Sequence, residues 1–273
     1  GLTHSMSQQE DSFISHLVEL RDRVVRCLIA VGVVFVVLCL FPGPGAIYDL
    51  LAMPLTQALP EGTKMVAIGV VTPFMVPIKV TMLVAFVIAL PVVLLQVWGF
   101  VAPGLYAHEK RLAIPLVVAS YLLFLLGVAF CYFFVFGQAF KFIASFAPKS
   151  ITPAPDIEAY LSFVMTMFLA FGVSFEVPVV LVVLVKLGIV TIEKLKEWRS
   201  YFIVIAFIIA AVVTPPDVVS QLALAIPMCI LYELGILFAR FVTAPPPKEE
   251  AAAPADAWAP ASDADEKQIQ DRS

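Results

Sequence analysis

The stretch Phe171-Gly172-Val173-Ser174-Phe175-Glu176-Val177-Pro178 sets one carboxylate inside an apolar run that reaches from Tyr160 to Leu187. Wound as a helix rising about 1.5 Å per residue, that run measures roughly 42 Å. A hydrocarbon core is about 30 Å thick, so the run spans it with some tilt and leaves Glu176 near the midplane. A charge at that depth costs about 2.5–3.5 kcal/mol even on lenient insertion scales. Two readings follow. In one, Glu176 is protonated and hydrogen-bonded inside a helix bundle. In the other, the neighbouring helices build a polar recess around it.

The composition requires such a bundle. The chain is 61% hydrophobic and 14% charged over 273 residues, a balance that no water-soluble domain of this size shows, so it reads as a polytopic membrane protein. The net charge of -4 reflects acidic residues crowded beyond Lys248. Cys27, Cys39, Cys131 and Cys229 all fall in apolar runs without CxxC spacing, which fits packing thiols rather than metal ligands or disulfides. Residues 1–12 are polar and the first apolar run has no small-residue cleavage site, so no cleavable signal peptide is expected. Gly1 to Ser5, ahead of Met6, read as a non-native leader before a flexible N-terminus.

Six apolar runs follow. Phe13, Ile14, Leu17, Val18 and Leu20 recur at helical spacing, which predicts an amphipathic segment at the membrane surface with Ser12 as its cap. The first span covers residues 24–41 and stops at Pro42-Gly43-Pro44-Gly45. Residues 46–76 hold Pro54, Pro60 and Pro73 and suggest short helices capping one membrane face. The second span covers 77–98 with a kink at Pro91, the third 112–136 and the fourth 160–187. The fifth, residues 201–213, is roughly 20 Å of helix, about 10 Å short of a core. It turns at Thr214-Pro215-Pro216-Asp217 into the sixth, residues 218–241. Such a hairpin cannot hide its polar groups in lipid, so either the bilayer thins there or water enters, with Asp217 and Gln221 below the normal surface. Residues 13–242 form the membrane domain, and the Pro/Ala/acidic tail, 243–273, should be disordered.

Basic residues give the orientation. Of the 17 Lys and Arg, all but Lys64, Lys79, Lys141 and Lys149 fall on one side of the six spans. Both termini are therefore expected in the cytoplasm. Enzyme signatures are missing: HExxH, GxSxG and Walker patterns do not occur, and no histidine lies within a span. No enzyme activity, cofactor, metal or nucleic-acid partner is expected. Lys79 fits a snorkelling anchor. Glu233, inside the sixth span, either pairs with Arg240 along the helix or faces the bundle.

Two carboxylates lie among cations: Glu19 in His16-Leu17-Val18-Glu19-Leu20-Arg21-Asp22-Arg23, and Glu109 in His108-Glu109-Lys110-Arg111. On spacing alone each simply pairs with a neighbouring cation at the surface, worth about 0–1 kcal/mol. The alternative is a receptor for an arginine-bearing peptide, because carboxylate binds a planar guanidinium bidentately and lysine only as a point charge.

These motifs together resemble the TatC family, the multispanning subunits of the twin-arginine protein translocase. The matching stretches are HLVELRDR (16–23), TPFMVPIK (72–79), LYAHEKR (105–111), LSFVMTMFLAFGVSFEVPV (161–179) and TPPDVVSQ (214–221). One departure is Lys110-Arg111, where family members often carry two arginines. The resemblance implies an all-α integral membrane protein, six helices with both termini inside. Their bundle is glove-shaped with a concave face, and the fifth and sixth helices are short. It places the chain in the bacterial cytoplasmic (inner) membrane, as the receptor that binds twin-arginine signal peptides of folded precursors. Export there is driven by the proton-motive force with TatA- and TatB-like single-span partners, within a homo-oligomeric receptor complex in the lipid bilayer. Carried over, Glu19 and Glu109 meet the two arginines, with Arg21, Arg23 and Phe100 on the recognition surface. Glu176, Asp217 and Gln221 are the intramembrane polar positions, and Pro54, Pro215 and Pro216 are structural. The competing class is a secondary transporter or proton channel using Glu176, against which stands the lack of an internal repeat.

Overall fold

The computed structural model describes residues 2–58, 67–103, 110–139, 141, 156–214 and 218–242. Glu109, Pro215, Pro216, Asp217 and the tail lie outside the described residues. Within them the chain is nearly all helical, as expected for an all-α membrane protein. Five helices are long and apolar enough to cross a membrane, and a sixth is apolar but shorter.

The first helix, α1 (Leu2–Leu40), is one continuous element. The amphipathic segment expected at the surface and the first span are the same helix, and Ser12 lies inside it rather than capping it. The reason is local: no proline occurs before Pro42, and nothing else breaks the ladder. The chain leaves α1 through Gly43, whose φ of 98° suits a residue without Cβ. It then forms α2 (Pro44–Ala58), which contains Pro54. Tyr132 and Tyr160 donate to the carbonyls of Leu50 and Leu51 at 2.8 and 3.1 Å. These bonds tie α2 across the bundle.

The second span, α3 (Thr72–Val101), starts five residues earlier than the expected Pro77. Pro73 sits in its first turn, where a missing N–H costs nothing, while Pro77 and Pro91 lie inside. The third span is α4 (Lys110–Phe130), extended by a π turn over Cys131–Val135. There Phe136 N–H reaches back five residues to Cys131. The widened turn keeps Cys131, Val135 and Phe136 all fully buried in the core.

The fourth span differs from the single helix its composition suggested. It is α5 (Ile157–Ser174) followed by α6 (Val177–Lys186). Pro178 has no N–H for the Ser174 carbonyl and its ring crowds that carbonyl, so α5 ends there. Phe175 and Glu176 form the joint, with Glu176 N–H tightened onto Val173 at 3.0 Å. Asp156 caps the start through Glu158 N–H at 3.4 Å. At the far end Gly188 (φ 76°) takes the left-handed conformation. Gly188 and Ile189 N–H close on the Val185 and Leu184 carbonyls, the paired bonds of a Schellman stop. Thr191 then caps α7 (Ile192–Glu197).

The last pair is α8 (Arg199–Val213) and α9 (Val218–Val242). The shortness expected of both holds for α8 alone: it measures about 22 Å at 1.5 Å per residue, whereas α9 runs 25 residues. Glu233 takes neither of its expected environments. Arg199 of α8 pairs with it at 2.8 Å, across the helix pair rather than along α9.

The core lies among α4, α5, α8 and α9, built on Phe136, Met167, Phe171 and Leu224. A second cluster joins α3, α4 and α6 through Leu90, Leu94, Trp98, Phe124 and Val183. Small residues set the spacing: a Cβ on Gly127 of α4 would lie 2.5 Å from the Phe171 carbonyl oxygen of α5. Backbone cannot yield as a side chain does, and close approach over glycine is how membrane helices gain packing contact. Gly127→Leu is therefore expected to destabilise the bundle by about 1–3 kcal/mol or more. A lowered thermal midpoint of the purified protein in detergent is the readout, and an unchanged midpoint would show that this contact is loose.

Candidate functional site

Glu19 and Arg23 are four residues apart on α1, so the helix itself brings them onto one face. Arg23 Nε donates to Glu19 Oε1 at 3.0 Å. The same guanidinium reaches across to α3, where Nη1 donates to Gln96 Oε1 at 3.1 Å and to the Gln96 carbonyl at 3.5 Å. One turn on, Gly99 leaves the space it needs: a Cβ there would come within 2.7 Å of Arg23 Nη1. The His16 ring stacks on Phe100 with centroids 4.4 Å apart. Two contacts thus dock α1 on the last turns of α3 and hold Glu19 between them.

The ion pair itself contributes little stability, since Glu19 is 44% and Arg23 23% exposed and such pairs give about 0–1 kcal/mol. Its effect is orientation. Arg23 engages one carboxylate oxygen in this geometry, and Glu19 stays partly exposed. The structure brings together Glu19, Arg23 and Phe100. It does not bring Arg21, which is exposed and, among the described residues, reaches Asp22 at 3.4 Å.

A second polar site lies deeper. Trp98 of α3 donates from Nε1 to Ser120 Oγ of α4 at 3.2 Å, and Ser120 Oγ donates to Glu176 Oε2. Ser120 is completely buried. The other carboxylate oxygen of Glu176, Oε1, is buried with no hydrogen-bond partner among the described residues. Glu176 lies ten residues before Lys186, about 15 Å along the helix axis, which is half the thickness of a core. The hydrogen bond of the first reading is present, through Ser120, whereas around the other oxygen the described residues supply no polar partner, so the recess of the second reading reaches no further than Ser120 and Trp98.

Gln221 is half-buried in the first turn of α9, and the buried Thr214 donates its hydroxyl to the Ala210 carbonyl. Sequence reasoning missed Gln96, Gly99, Trp98 and Ser120. The signal available was that Gln96 and Ser120 are polar residues within long apolar runs, and such residues in a span face protein rather than lipid.

Residues 15–227 match the family described as Sec-independent protein translocase protein (TatC). The Escherichia coli (strain K12) TatC is 51% identical over 228 residues, covering 84% of this chain and 88% of the relative. The Haemophilus influenzae TatC is 50% identical, covering 86% and 92%, and that of Aquifex aeolicus 40%, covering 84% and 94%. A crystal structure of the twin arginine translocase receptor TatC superposes with a TM-score of 0.69 at 40% identity, covering 83% of this chain and 98% of that one. A second, in DDM, gives 0.71. With its helical bundle and this breadth of likeness, the chain belongs to the TatC family of Sec-independent protein translocases.

Proposed function

We propose that the chain is the receptor subunit of a twin-arginine translocase and that Glu19, with Glu109, receives the two arginines of a signal peptide. The observation that carries this is the Glu19 carboxylate, partly exposed and fixed by Arg23 to Gln96, beside the His16–Phe100 stack. A carboxylate whose direction is set before binding loses less entropy when a guanidinium docks. Both termini lie in the cytoplasm in this reading, since the positive-inside bias places α1's Arg21, Arg23 and Arg26 there. The membrane is then the bacterial cytoplasmic membrane.

Single-span TatA- and TatB-like partners pack on α8 and α9, and several receptor copies assemble around them for export driven by the proton-motive force. Supporting this edge, Val204, Ile208 and Val212 of the short helix α8 recur at four-residue spacing and are all more than half exposed. A photocrosslinker at Leu20, exposed beside Glu19, is expected to capture a precursor with an Arg-Arg signal and not its Lys-Lys counterpart. Equal capture of both signals would overturn the assignment.

A further inference from the structure

Arg199 opens α8 and Arg240 lies near the end of α9, so both cations stand at the same end of an antiparallel pair. Between them runs a groove of about 390 Å³, floored by Ile230, Leu234 and Leu237 and edged by Arg199, Glu233 and Arg240. Its polarity is graded along the axis. From residue 230 to residue 240 is about 15 Å of helix, apolar at the deep end and cationic at the outer end. Glu233 sits between, its carboxylate taken by Arg199 Nε at 2.8 Å. That leaves the groove one positive charge in excess, on Arg240, whose guanidinium has no partner among the described residues.

The depth of the outer end is marked independently. Trp198, next to Arg199, is 42% exposed and carries Lys194 Nζ 5.7 Å above its ring. Exposed tryptophan at a helix end belongs at the headgroup level of a bilayer. A ligand for this groove therefore has an anionic group at headgroup depth and an apolar stem reaching inward.

We propose that this groove binds an anionic phospholipid, its phosphate between the guanidinium groups of Arg240 and Arg199 and an acyl chain along Leu237, Leu234 and Ile230. Basic pockets between membrane helices are suited to such headgroups, and arginine's planar fork to phosphate. Glu233 sets the limit on affinity, because its charge opposes the phosphate while keeping Arg199 in place.

The test uses the full-length protein in detergent and native mass spectrometry. Phosphatidylglycerol, phosphatidylcholine of the same acyl chains, and glycerol 3-phosphate are titrated separately. Phosphatidylglycerol is expected to bind more tightly than phosphatidylcholine. Arg240→Gln is expected to weaken phosphatidylglycerol about fivefold, the worth of one basic residue near an anionic surface, and to weaken phosphatidylcholine less, since its choline already offsets the phosphate charge. Glu233→Gln is expected to move phosphatidylglycerol in the opposite direction, a gain that misfolding does not produce. Equal binding of the two lipids, or an Arg240→Gln variant indistinguishable from the parent, overturns the proposal. Binding of glycerol 3-phosphate as tight as the lipid overturns it too, since the acyl stem would then be idle.

Discussion

Glu19→Gln is expected to weaken binding of an Arg-Arg signal peptide by about 10- to 100-fold while the protein still inserts and folds. A hydrogen bond to a charged group contributes about 1.5–3 kcal/mol, and each 1.4 kcal/mol is about tenfold in affinity. Folding should hardly change, because the Glu19–Arg23 pair is half exposed and worth about 0–1 kcal/mol. Glutamine also keeps an acceptor for Arg23, and the guanidinium keeps its bonds to Gln96. Titration of a labelled signal peptide against the protein in nanodiscs measures the change. The parent's affinity should fall with salt, as for any contact at a solvated face, and the variant's salt dependence should be shallower. An unchanged affinity for the Arg-Arg peptide sinks the role given to Glu19. An equal loss for a Lys-Lys peptide reduces Glu19 to a point charge without guanidinium selectivity.

The two polar sites share one piece of backbone. Gln96, Gly99 and Phe100 of α3 hold Arg23 and His16 of α1, while Trp98 between them turns to Ser120 and through it to Glu176. A shift of α1 on binding would therefore load the same helical turn that carries the bond toward the midplane. Successive residues of one helix face different neighbours, so five residues suffice for both contacts.

This sharing was invisible in the sequence, and the reason is geometric. Apolar run length and loop chemistry made the second and sixth spans and the shortness of α8 legible, since each depends on local composition alone, though not the start of α3 at Thr72. The end of α1 at Leu40 was likewise legible in Pro42 and Gly43. What composition does not carry is the rotation of each helix about its axis, which decides that Ser120 meets Glu176 and that Arg199 rather than Arg240 meets Glu233. The joint at Phe175 and Glu176 lies between these cases. Pro178 announced it, but a collinear apolar run on both sides made the span read as unbroken.

The joint is where the second large effect is expected. Glu176→Leu should make the bundle at least as stable as the parent and still abolish export. Its Oε1 is buried without a partner among the described residues, and leaving such a group unsatisfied costs about 1–3 kcal/mol. Leucine removes that cost. It also removes the Ser120 bond, but hydrogen bonds between membrane helices average only about 0.6 kcal/mol. Ser120 can turn its hydroxyl to a carbonyl one turn back, as serine does within helices, while still accepting from Trp98. The balance is an unchanged or slightly raised thermal midpoint in detergent. A site that gives up stability in this way is one where the polar group serves something besides folding. The role we propose for Glu176 is to hold water or a polar group of a partner helix during transport. Glu176→Gln restores hydrogen-bonding capacity without a carboxylate, so it is expected to retain most export where Glu176→Leu retains none. Normal export by Glu176→Leu would leave Glu176 as a buried hydrogen-bonding residue and nothing more. Failure of Glu176→Gln alongside Glu176→Leu would show instead that the group must ionise.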